Sequence, residues 1–141
     1  MTAPALPTRL TLEIVTPEGL LLREDVDEVI APGRDGYFGV LPGHTPFFAT
    51  LGIGEITVRD GGERSYFTCF WGFAEVLPDR VSILAEVGER AQDIDPERAE
   101  KAKARAQAAL KAVQGEEGYA EARAAYVRAV TRLAVARQRR G

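Results

Sequence analysis

A chain of 141 residues with a 45% hydrophobic share has room for one ordinary core, or a small core with an appendage, and is too apolar to be a disordered polymer. Its net charge of −3 is mild but unevenly spread: residues 1–90 hold 7 arginines, no lysine and 14 acids, a balance of −7, and residues 91–141 hold 11 basic and 7 acidic residues, a balance of +4. The inventory prunes catalysis: a single histidine (His44) excludes His-rich metal sites, Ser65 and Ser82 stand in no Gly-x-Ser-x-Gly elbow, and the first lysine, Lys101, lies far beyond any glycine-rich stretch that a P-loop would need.

The first nine residues have no apolar core flanked by basic residues, so no secretory signal is expected. Leu10, Leu12 and Ile14 alternate with Arg9, Thr11 and Glu13, as in a half-buried strand. Thr16-Pro17-Glu18-Gly19 turns the chain. Residues 20–30 read as one long or bulged strand, interrupted at Glu24-Asp25. Pro32-Gly33-Arg34-Asp35-Gly36 is a second turn. The stretch from Gly36 to Phe48 holds three glycines, two prolines and several aromatics, the mark of a shaped loop. Its residue types favour a structural turn whose aromatics fill the end of the fold, over a contact surface rimmed by Tyr37 and His44. Ile56 and Val58 alternate with polar residues, and Asp60-Gly61-Gly62-Glu63 reverses the chain into residues 64–71. Residues 73–77 and 80–84 form a further hairpin around Pro78-Asp79. Cys69 lies in an apolar strand, excludes an internal disulfide, fits a reducing compartment and reads as a small buried hydrophobe. Short strands at this spacing predict a sandwich or flattened barrel over residues 1–90.

Near Ile94 the grammar changes, and residues 91–141 read as a separate helical domain. Asp95-Pro96-Glu97 opens a helix: Asp95 caps the orphan N–H groups, and Pro96 suits the first helical position. Ala99, Ala102, Ala106, Ala109/Leu110 and Val113 form one apolar face. Gln114-Gly115-Glu116-Glu117-Gly118 stops it. Tyr119, Ala122, Tyr126, Val130 and Leu133 define a second helix to about Arg137, and the short loop implies an antiparallel hairpin. A face of alanines buries little, on the order of 0.8 kcal/mol per methyl. The composition suits either a mobile element or a rigid, closely packed pair. Arg123, Arg128, Arg132, Arg137, Arg139 and Arg140 have almost no acidic partner after Glu121. No aromatic platform accompanies them, so an acidic protein surface is a better target than nucleic acid.

Four motifs in order carry a family resemblance: Gly36-Tyr37-Phe38-Gly39-Val40-Leu41-Pro42-Gly43-His44-Thr45-Pro46, then Gly72-Phe73-Ala74-Glu75-Val76, then Ile94-Asp95-Pro96-Glu97-Arg98-Ala99, and last the run from Arg128 through Arg132 and Leu133 to Val135. Together they resemble the epsilon subunits of bacterial F-type ATP synthases, called delta in mitochondria. The resemblance implies an N-terminal flattened β-sandwich of about ten strands and a C-terminal antiparallel two-helix hairpin. It implies a non-catalytic place on the central stalk, bound to the gamma subunit and the membrane-embedded c-ring, on the cytoplasmic face of the bacterial inner membrane. The hairpin would swing from a folded-down to an extended state and inhibit ATP hydrolysis by transient contact with the catalytic alpha and beta subunits.

The resemblance also assigns residues. Tyr37, Phe38, Pro42, Gly43 and His44 would contact the rotor. Arg123, Arg128, Arg132 and Arg137 would dock the extended hairpin on the catalytic head. No cofactor is required, but a regulatory ATP would be bound by Glu89, Ile94, Asp95, Arg98, Ala99, Arg105, Arg128 and Arg132. The chain departs from the family at Trp71, where a small residue is usual, and at Tyr37, where the ring-facing loop often carries an acidic or polar side chain. From the residues alone, a free-standing β-sandwich ligand-binding module with a helical tail is the alternative.

Overall fold

The alternation at the start of the chain forms the first strand. In a computed structural model, which describes residues 6–138, β1 (Leu10–Thr16) buries Leu10, Leu12 and Ile14 completely. It pairs antiparallel with β2 (Gly19–Val26) and parallel with β7 (Arg80–Arg90). Between them come β3 (Glu28–Gly33), β4 (Gly36–Val40), β5 (Phe47–Asp60) and β6 (Glu63–Leu77). The hydrogen-bonded order is β2-β1-β7-β6-β5-β3-β4.

The described residues form seven strands rather than about ten. The reason lies in which residues face the core. On β6 the core takes Phe67 and Cys69, then Ala74 and Val76. A regular strand keeps one parity toward one face, so β6 turns over between these pairs. Trp71 and Gly72, with φ of +65° and +146°, stand at the switch. On β5 the core residues change from Leu51 to Ile56 and Val58. On β7 they run Val81, Ile83 and Ala85, whereas Glu89 faces outward toward a helix. Three long strands thus pass from one layer of the sandwich to the other, the usual way a corner is made. Each serves both layers, so strands counted per layer outnumber the continuous ones.

Residues 20–30 likewise divide into two strands, and the break falls at Asp27 rather than at Glu24-Asp25. The Asp27 amide donates to the Arg59 carbonyl at 2.8 Å, and its carboxylate accepts from the Gly61 amide at 2.6 Å. These bonds hold the crossing between layers.

Cys69 is fully buried, and burial pushes its thiol up to about 12. Iodoacetamide at about pH 8 should therefore leave the native protein unmodified, because the thiolate is the nucleophile. Unfolding in guanidinium should allow complete labelling by mass spectrometry. Rapid labelling of the native chain would show that the sandwich opens at this strand.

After a single 3₁₀ turn, Ala91–Asp93, helix α1 (Pro96–Ala112) begins as expected. Asp95 Oδ1 accepts from the Glu97 and Arg98 amides at 3.0 and 3.3 Å. Helix α2 runs Glu116–Arg137, so the segment expected to separate the helices already contains the first turn of the second one. Gly115, at φ +92°, makes the turn, and Glu116 and Glu117 suit the positive end of the helix dipole. Gly118 is accordingly helical. On α1, Ala99 and Ala106 are buried, Leu110 is half-buried and Ala109 is exposed. On α2, Ala129, Leu133, Val135 and Ala136 are buried, whereas Tyr119 near the hairpin tip is exposed. The helices pack on each other, and α2 lies on β5 and β6. Its apolar grip is small: Val135 and Ala136 cluster with Ala91, Ile94 and the half-buried Tyr66.

Candidate functional site

The junction between hairpin and sandwich forms a cleft of about 230 Å³. Strand β7 ends by bringing Glu89 to its wall. The 3₁₀ turn adds Asp93, and the following bend adds Ile94 and Asp95. Helix α1 contributes Arg98, Ala99 and Ala102, and α2 contributes Arg132. A second groove, of about 370 Å³, shares Ala102 and Arg132 and adds Arg105 and Arg128. The structure thus brings together every residue that the family resemblance assigned to nucleotide. It adds Asp93 and Ala102, which the sequence reading missed. Asp93 directly precedes the Ile94-Asp95 motif, and Ala102 lies one turn beyond Ala99, so spacing alone could have suggested both.

The charges in these clefts are sorted. Glu89, Asp93 and Asp95 line the first cleft together with Arg98 and Arg132. The second holds Arg105, Arg128 and Arg132, with no acid lining it. Such an arrangement suits a ligand with hydrogen-bond donors at one end and several negative charges at the other. Arg132 is already engaged. Its Nε donates to the two Glu89 carboxylate oxygens at 2.9 and 3.3 Å, and its guanidinium lies 4.8 Å from the Phe70 ring centroid. Thr68 Oγ1 donates to Glu89 at 2.8 Å.

The residues assigned to the rotor do not form one surface. Tyr37 and Phe38 alternate along β4 and point to opposite faces. Tyr37 is 60% exposed, accepts a hydrogen bond from the Glu55 amide at 3.0 Å, and lines a groove with Ile53, Val130 and Ala134 beside α2. Phe38 packs against the core and meets Phe47 edge-on, with ring centroids 5.0 Å apart. The His44 ring lies 5.6 Å from Phe47, and its Nδ1 is 2.7 Å from the Thr45 carbonyl, which makes Nδ1 the protonated nitrogen. Gly43, at φ +86°, donates its amide to the Pro78 carbonyl at 2.7 Å. With half-buried Pro42 it ties the loop to the β6–β7 turn.

Phe48 and Phe73, which the sequence placed in the shaped loop and in the second motif without assigning either a contact, stack at 5.6 Å on an outer face, and Leu84 and Trp71 are also exposed. Their signal was the change of parity at Gly72, which turns Phe73 outward. The arginines assigned to docking divide as well. Arg123 and Arg137 are exposed, whereas Arg128 and Arg132 are half-buried against the hairpin and sandwich. Arg137 lies 3.9 Å from Glu100. Arg139 and Arg140 lie outside the described residues.

A two-layer β module carries a helical hairpin on one face, with a polar cleft where they meet. Among the described residues, no cluster of His, Cys, Asp and Glu could hold a metal ion, and no helix is long and apolar enough to cross a membrane. The sequence matches the ATP synthase delta/epsilon chain β-sandwich domain over residues 9–91 and the delta/epsilon chain long α-helix domain over residues 92–137. The chain belongs to the ATP synthase delta/epsilon family. An ATP synthase epsilon chain from Geobacter metallireducens is 46% identical over 129 residues, which cover 91% of this chain and 94% of that one. The fold is shared with a chain in the cryo-EM structure of the Euglena gracilis mitochondrial ATP synthase, at a TM-score of 0.82 and 23% identity, covering 93% of this chain and 83% of that one. A chain of the Tetrahymena thermophila mitochondrial ATP synthase central stalk and c-ring aligns at a TM-score of 0.60 and 14% identity, over 97% of this chain and 100% of that one.

Proposed function

We propose that the chain is a non-catalytic rotor subunit of a proton-translocating F-type ATP synthase. Its sandwich docks on the gamma subunit and the c-ring, at the cytoplasmic face of the bacterial inner membrane. It reaches the membrane only through the complex and binds no nucleic acid. Its hairpin restrains ATP hydrolysis when it leaves the sandwich and presents its arginines to the acidic surface of the catalytic subunits, where opposite charge speeds the encounter. A regulatory ATP favours the folded-down state shown here.

The observation that carries this reading is the pair of adjoining clefts at the hairpin–sandwich junction. Their walls come from both parts, so a ligand spanning them favours the closed arrangement. The arginine groove accepts phosphates at Arg105, Arg128 and Arg132. The acidic cleft accepts the base and ribose near Ile94 and Asp95. Stabilisation of the closed state then grows as RT ln(1 + [ATP]/Kd).

Titration calorimetry on the isolated chain tests the nucleotide part. ATP should bind, and Arg128→Ala should weaken binding by about tenfold or more, the loss of one charge-assisted contact. No heat of binding at millimolar ATP would leave Asp95 as a helix cap alone and the arginines as a docking face.

A further inference from the structure

We infer that Thr68, Glu89 and Arg132 form a ligand-independent latch that holds the hairpin on the sandwich, with Thr68 as its positioning residue. The inference rests on the reading that the hairpin can leave. Thr68 is the buried polar residue among those described, at 0% exposure, and it alternates with core-facing Phe67 and Cys69, so it lies on the face of β6 turned toward the hairpin. A valine would fill the same space on β6 without a hydroxyl to satisfy. Instead the hydroxyl donates to Glu89 Oε1 at 2.8 Å, across the β6–β7 ladder, where Thr68 and Glu89 are directly paired. Glu89 is thereby fixed on the outer face of the sheet. It receives Arg132 Nε through both carboxylate oxygens, at 2.9 and 3.3 Å.

An exposed ion pair would contribute almost nothing. This one differs in three respects. Its side chains are only 33% and 31% exposed. Arg132 sits 4.8 Å above the buried Phe70 ring, which favours a cation partly withdrawn from water. Glu89 is held in place before the hairpin arrives, so pairing costs less side-chain freedom. The apolar grip beside it has Val135 and Ala136 closing on Ala91, Ile94 and Tyr66, with Leu133 of α2 also buried. The polar contact adds to that grip and shifts the balance between closed and open hairpin. The closed state needs no nucleotide to be the resting one.

The test is a distance distribution by pulsed electron spin resonance on the full chain. Spin labels are attached at Ser65→Cys on the sandwich and Ala120→Cys on α2, both exposed positions. Buried Cys69 stays unlabelled. The parent should show one dominant distance population. Thr68→Val and Glu89→Gln should each raise the open-to-closed ratio about five- to tenfold, and Thr68→Ser should stay near the parent. Glu89→Arg with Arg132→Glu should recover part of what either change loses alone. Leu133→Ala with Val135→Ala, which removes apolar contact, serves as reference. If that reference opens the hairpin while Thr68→Val and Glu89→Gln match the parent, the latch is wrong and the mobile hairpin stands. If the reference also stays closed, the mobile hairpin fails and the latch falls with it.

Discussion

Replacing Gly72 by alanine should cost about 3–5 kcal/mol, among the larger effects of any single substitution and a large part of a typical domain's stability. A Cβ there would lie 2.1 Å from the Leu84 carbonyl oxygen and 2.9 Å from the Ala85 Cα. Both obstacles are backbone of the neighbouring strand, so no side chain can move aside. The residue also has φ of +146°, which an L side chain rarely adopts. Its neighbour should behave differently. Trp71 is held at φ +65°, a left-handed conformation that costs a non-glycine residue about 1–2 kcal/mol. Trp71→Gly relieves that cost but gives up the buried part of a large ring and adds freedom to the unfolded chain, so it should shift stability far less than Gly72→Ala. Trp71 is the only tryptophan, so the urea midpoints must be read by circular dichroism. A Gly72→Ala midpoint close to the parent's would show that the corner relaxes.

Much of the fold was legible because its signals are local. Leu10, Leu12 and Ile14 alternate, and β1 buries all three. Asp95 before Pro96 is a helix start whose chemistry needs no distant partner, and its carboxylate caps the helix as expected. The corner was not legible in the same way. Parity along β6 changes at Gly72, but a single strand does not reveal whether a change of face is a break or a bend. Three strands must bend at one level to share a corner, and only the pairing shows it. The hairpin turn was placed too late because Gly118 resembles a stop, whereas Gly115 alone supplies the positive φ.

The candidate site divides along the same line. Ile94, Asp95, Arg98 and Ala99 are contiguous enough to be recognised as a motif. Glu89 and Arg132 are 43 positions apart, and only the family resemblance joined them. Thr68 was invisible, because a threonine in an apolar strand looks like ordinary strand filler. Tyr37 and Phe38 belong to one motif and were assigned to one contact, although neighbours in a strand point to opposite faces.

Removing the hairpin should have the largest effect on activity. A chain ending at Asp93 retains all of β7, including Arg90, whose guanidinium donates to the Leu21 carbonyl and lies over Phe67. The sandwich core, from Leu10 and Leu12 through Ile83 and Ala85, contains no hairpin residue, so it should remain folded. What is lost is α1, α2, the arginine groove and the arginines proposed to dock. If the sandwich docks and the hairpin restrains, the shortened chain should still assemble with gamma while the restraint disappears. The direct measurement is the ATP hydrolysis rate of purified complexes that contain gamma and either the full or the shortened chain, compared at equal chain content. Hydrolysis several-fold faster with the shortened chain is the predicted result. Equal rates in complexes that have retained the shortened chain would contradict a restraining hairpin.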